Sequence, residues 1–235
     1  MADVSKMAEE WLSEHPDATK KEIWMAGYWK STDNWCNPNQ VNFRIMAERK
    51  VKPEIMHLMI LSKCNYKCEL CCNKLYDIEK ISVATVKELK TIHTLCITGG
   101  EPFMASIDLD DFARSVKNDF PNIENIFVYT SGLILMYRLP HIFSYIDGLS
   151  ISPKSMKDWL ALEKIANSTS RDYLNNISRL PSNRLYVFKE QVPFFEERFK
   201  PIAKKLNLNV LYRTWDKEFK TPDNEIFRRL PILLN

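Results

Sequence analysis

Apolar residues fall into two kinds of run along this chain. Short runs rich in branched and aromatic residues recur at 55–61, 94–98, 125–129, 147–151, 184–188 and 210–212, and each reads as a buried strand. Between them, segments 83–90, 109–118, 133–137, 154–166 and 194–206 space their apolar residues as amphipathic helices do. Apolar strands alternating with helices need crossover connections, and so a parallel sheet covered by helices. Six such strands predict an α/β fold, a partial (β/α)6 TIM-like barrel that does not close as an eightfold one.

Ahead of the first strand the pattern differs. Residues 1–50 read as three short helices, broken at Pro16 and again over 31–34. The expected organisation is an N-terminal helical extension over 1–53, the barrel over 54–215, and a tail over 216–235 with one short helix.

Composition narrows the function classes. The 235 residues are 45% hydrophobic and 27% charged, so the core needs neither a disulfide nor a metal merely to form. No apolar run reaches about 18 residues and no basic-then-apolar leader opens the chain, which predicts no membrane partner and a cytoplasmic location. The net charge of +3 is too small to imply a polyanionic partner. Residues 1–53 carry eight basic and eight acidic residues, so a helix-turn-helix reading of the three helices lacks a basic footprint, and nucleic acid is weakly supported. Residues 171–235 carry thirteen basic and eight acidic residues, which a solvated face explains.

The unusual residues follow the strands, where parallel α/β folds bind their ligands. After the first strand come Cys64, Cys68 and Cys71, a C-x3-C-x2-C, with Cys72 beside them; Cys36 and Cys96 stand alone. Such a cluster points to metal or redox chemistry rather than a disulfide framework. Three thiolates in one loop can hold three irons of a cubane cluster. Close cysteines also serve structural zinc, which usually draws on two separated pairs, and no second pair exists here. After the second strand, Thr98-Gly99-Gly100-Glu101-Pro102 lets the backbone approach a ligand, with Glu101 as an added acceptor; a plain strand-to-helix turn is the other reading.

The cysteine loop, with Thr98-Gly99-Gly100-Glu101-Pro102 beginning 27 residues after Cys71, resembles the radical S-adenosylmethionine (radical SAM) superfamily over about residues 54–215. The resemblance implies that Cys64, Cys68 and Cys71 hold a [4Fe–4S] cluster, and that S-adenosylmethionine chelates the open iron with Gly99, Gly100 and Glu101 along its amino group. It also implies a reducing electron donor of flavodoxin or ferredoxin type. The residue before the third cysteine is commonly aromatic in that family; here it is Leu70, which still offers the adenine an apolar surface. Thr130 and Ser131 match positions that approach the cofactor in relatives, and Ser152 and Lys154 are placed to meet a carboxylate. Arg213 is placed to clamp an anion; Cys72 and Cys96 read as small buried side chains; the four histidines show no ligand spacing.

Leu149–Lys154 looks like the fourth-strand segment of 7-carboxy-7-deazaguanine synthases, small radical SAM enzymes with incomplete barrels. The leading expectation is therefore hydrogen abstraction from a small heterocyclic or nucleotide substrate. Two alternatives stand beside it: modification of DNA or a peptide held by the N-terminal helices, and a non-catalytic metal-binding module. No cysteine follows Cys96, so a downstream cluster domain of the peptide-maturing kind is not expected.

Overall fold

The computed structural model describes residues 53–64, 80–138, 143–168, 171–214 and 221–234, with His15, Cys68 and Cys71 as single positions. The chain divides into two units, Met1–Pro53 and Glu54–Asn235. The three helices expected over 1–50 lie outside the described residues.

Among the described residues, seven strands form one sheet: β1 (Ile55–Leu61), β2 (Thr94–Gly99), β3 (Asn125–Thr130), β4 (Gly148–Ile151), β5 (Asn183–Phe188), β6 (Leu208–Arg213) and β7 (Glu225–Arg229). Their order is β6-β5-β4-β3-β2-β1-β7 and every pairing is parallel. The helices among the described residues include α1 (Val86–Leu89), α2 (Leu109–Asp119), α3 (Leu135–Arg138), α4 (Met156–Ala166), α5 (Arg171–Ser178) and α6 (Lys200–Lys205), the last entered through a π-helical turn at Phe195–Phe199. This is the expected α/β architecture, consistent with a partial TIM-like barrel, and the sheet is open between β6 and β7.

Two elements differ from expectation. The tail, described over 221–234, holds a seventh strand that the sequence pattern did not predict. Residues 225–229 pair along β1 from Ile55↔Glu225 to Met59↔Arg229. Such a strand is read off its partner: Ile226 and Phe227 are its only apolar residues, but β1 offers a free edge of backbone donors and acceptors. Helix α5 was also absent from the sequence pattern, since its asparagines and serine favour turns; Leu174 and Ile177, three apart, fix it to the core.

Local chemistry sets the helix starts. Asp108 caps α2, accepting from the N–H groups of Asp110 (2.8 Å) and Asp111 (3.0 Å). Ser155 and Asp158 form a capping box at the start of α4. Helix α4 then buries Trp159, Leu162 and Ile165, and the Trp159 ring sits 5.1 Å from Phe199 and 5.6 Å from Phe195. Asn207, at φ +53°, turns the chain from α6 into β6, a left-handed position that asparagine tolerates.

Strand alternation divides the sheet into two unlike faces. Met56, Leu58 and Ile60 of β1, with Leu95, Ile126, Leu149 and Leu185 of its neighbours, join the apolar core under the helices. The opposite face carries His57, Cys96, Phe127, Tyr129, Ser150 and Arg184. A closed barrel fills that inner face with branched apolar side chains. Here it is aromatic and polar.

Candidate functional site

The site begins where β1 ends. The β1–β2 register shifts between Met59 and Leu61, and the ladder then continues past both strands. The Gly100 N–H donates to the Leu61 carbonyl (2.9 Å) and the Glu101 N–H donates to the Lys63 carbonyl (3.0 Å). The peptide leading into Cys64 is thus fastened to the Gly-Gly-Glu turn. Contact is close enough to demand glycine: a Cβ on Gly99 would lie 2.3 Å from the Leu61 carbonyl oxygen, and one on Gly100 would lie 1.9 Å from that of Lys63. Gly99 also has φ +130°. Of the backbone groups expected to face a ligand, the amides of Gly100 and Glu101 are therefore engaged by the cysteine-loop strand.

Cys64 is exposed, and Cys68 and Cys71 are half-buried. Burial pushes the Cys68 thiol up to about 11; the charges of Asp158, Cys64 and Cys71 add to the rise, and Lys154 opposes it. Cys68 therefore lies within electrostatic reach of both other cysteines and of the loop after β4. Among the described residues, no three His, Cys, Asp or Glu side chains stand at metal-holding distance. Leu70 and Cys72 lie outside the described residues.

Glu101 turns inward at the end of β2 and is 2% exposed. One oxygen, Oε2, accepts from the Thr130 hydroxyl (3.0 Å), the Ser131 N–H (3.0 Å) and the Ser131 hydroxyl (3.4 Å). The other, Oε1, accepts from the Phe103 N–H at 3.4 Å. Burial outweighs these bonds and raises the carboxyl to about 7. Glu101, Thr130 and Ser131, singled out separately in the sequence, thus form one buried network.

The β4–α4 loop supplies the next wall. The Ser152 N–H donates to the Thr130 carbonyl (2.8 Å), which ties this loop to the end of β3. Lys154 lays its ammonium 4.0 Å from the centre of the Phe188 ring. Asp158, fully buried, accepts through Oδ2 from the Lys154 N–H (2.9 Å), the Ser155 N–H (2.8 Å) and the Ser155 hydroxyl (2.9 Å). Its Oδ1 has no hydrogen-bond partner among the described residues. Gln191, in the 3-10 turn after β5, braces the same loop by donating to the Pro153 carbonyl (2.9 Å). Arg213 is exposed at the end of β6, its guanidinium 5.6 Å from the Tyr186 ring centre.

Sequence reasoning missed Asp158 and Gln191. A signal for Asp158 was present, since Ser155-x-x-Asp158 opens α4 with a helix-capping pattern. Nothing local marks Gln191, whose role depends on a loop 38 residues away.

No family model matches the chain, and no curated protein matches it. Solved structures that resemble it include Streptococcus suis SuiB bound to S-adenosylmethionine, with TM-score 0.45, 14% identity, and coverage of 89% of this chain and 59% of that one. SuiB bound to precursor peptide SuiA has TM-score 0.45 and 13% identity, covering 84% of this chain and 52% of that one. The chain matches less than two thirds of the length of SuiB.

Proposed function

We propose that this chain is a radical SAM enzyme in which Cys64, Cys68 and Cys71 hold a [4Fe–4S] cluster. The observation that supports the reading is the fastening of Gly100 and Glu101 to Leu61 and Lys63, which ties the peptide entering Cys64 to the Gly-Gly-Glu turn. The donor chemistry fits: cysteine sulfurs are the soft ligands an iron–sulfur cluster takes, and one short segment carries three of them. When bound, the cluster would supply the electron that cleaves S-adenosylmethionine to methionine and a 5′-deoxyadenosyl radical, which takes a hydrogen atom from the substrate.

The chain's own residues do the positioning. Glu101 holds Thr130 and Ser131 at the mouth of the sheet, and Asp158 holds the backbone of Lys154 and Ser155 beside Cys68. Leu70, Gly99, Gly100, Ser152 and Lys154 complete the cofactor-binding set. The substrate is a small heterocycle or nucleotide, and the electron comes from a flavodoxin or ferredoxin type of donor in the cytoplasm.

The test is 5′-deoxyadenosine formation by anaerobically reconstituted protein given S-adenosylmethionine and dithionite. Formation that disappears in Cys68→Ala supports the proposal. Zinc in place of iron in the purified protein, or a loaded cluster that never cleaves S-adenosylmethionine across a panel of pterins and nucleotides, would overturn it.

A further inference from the structure

At the other end of the sheet lies a second polar space. A cavity of about 360 Å³ is lined by Ile55, Thr94, Asn125 and Glu225, the first residues of β1, β2, β3 and β7, and deeper by His57, Cys96, Tyr129 and Arg184. Cys64 lies three residues beyond Leu61, the last residue of β1, so this cavity and the start of the cysteine loop lie at opposite ends of that strand. Its volume suits a small molecule.

The cavity carries one fixed charge of each sign. His57 Nε2 lies 2.8 Å from Glu225 Oε2, and the imidazole stacks on Phe227 with ring centres 4.4 Å apart. Burial lowers the His57 pKa against the opposing pull of Glu225, so the neutral ring donates its Nε2–H to the Glu225 carboxylate. Arg184 rests its guanidinium 4.5 Å from the Phe127 ring centre, and no carboxylate among the described residues pairs with it. In the strand register Ser150 lies between Tyr129 and Arg184, and its fully buried hydroxyl has no partner among the described residues. Both charges reach the Cys96 thiol: burial raises its pKa to about 12, Arg184 works against that rise, and Glu225 adds to it.

The two fixed charges sum to zero, so a singly charged ligand meets its own sign at one end of the cavity. A guanidinium only donates and a carboxylate only accepts. We propose that this cavity binds a small amino acid as its zwitterion, the carboxylate on Arg184 and the ammonium on Glu225. Phe127 and Tyr129 also line the cavity and offer ring surface to the carbon spacer. The site requires neither the cluster nor its cofactor, so its failure would leave the function proposed for the cysteine loop untouched.

The full-length protein is titrated calorimetrically with glycine, 4-aminobutanoate and 6-aminohexanoate, and with acetate and methylammonium as single-charge controls. One zwitterion is expected to bind saturably, and both controls at least about tenfold more weakly, since each forgoes one charge-assisted contact. Arg184→Gln is expected to lose the zwitterion and turn the preference toward methylammonium; Glu225→Gln should turn it toward acetate. A variant that merely unfolds cannot show such a reversal, and the wild-type ranking decides by itself if neither variant folds. Saturable binding of none of the three, acetate binding as tightly as the best zwitterion, or unchanged affinity in both folded variants would overturn the proposal.

Discussion

Thr130 donates its hydroxyl to the Glu101 carboxylate across 3.0 Å, joining the ends of β3 and β2 in a buried bond between residues 29 apart in the chain. The same carboxylate oxygen takes the Ser131 N–H. A single acid therefore holds the two strand ends that flank the proposed cofactor site, and it does so from a place that disfavours its charge.

That burial has a consequence for pH. The carboxyl has its ordinary value of 4.5 in the unfolded chain and about 7 when folded. The folded state therefore binds more protons between those values. Its stability is fully present below 4.5 and is lost as pH rises through 7. The rise corresponds to roughly 3 kcal/mol. Glu101→Gln removes the titration, so its denaturation midpoint should fall less between pH 5 and 8 than that of the wild type. Equal slopes in urea melts would count against the buried acid.

Gly100→Ala drives a Cβ into the Lys63 carbonyl, a backbone atom with no rotamer to give way. The expected cost is roughly 1–3 kcal/mol, the scale of overpacking in a filled site. Iron loading should fall with it, because the displaced peptide leads directly to Cys64. Denaturant melts and iron analysis on the same preparation would show whether the two losses go together.

Asp158 ranks next after burial in raising the Cys68 thiol. Asp158→Asn should lower that pKa in the metal-free protein, and Cys68 should alkylate faster at a fixed mildly alkaline pH. Mass spectrometry of iodoacetamide-treated protein reads the rate residue by residue. An unchanged rate at Cys68 would place Asp158 out of its reach.

Metal ligation separates the cysteines into two classes. Alanine at Cys64, Cys68 or Cys71 should abolish iron and its visible absorbance, whereas Cys96→Ala should leave both, since Cys96 is buried on the inner face with its thiol protonated. Equal loss in all four variants would contradict the ligand assignment.

Strands β1 to β6 and the cysteine loop were legible in the sequence because their signals are carried by adjacent residues. A parallel strand covered on both faces reads as one apolar run, and ligand spacing within a single loop needs no knowledge of the fold. The network around Glu101 was half legible: its members could be named, but their mutual bonds require β2 beside β3. Tertiary structure alone decided the rest. Strand β7 exists because β1 leaves an edge open to it, and Glu225 meets His57 across 168 residues of chain. The Gly99–Gly100 turn looked like a ligand cradle, and only the approach of Leu61 and Lys63 shows what its amides hold. Arg184 carries no local mark at all. Hydrogen-bond partners, desolvation and the sum of neighbouring charges are properties of the assembled sheet, set by residues that no sequence window contains together.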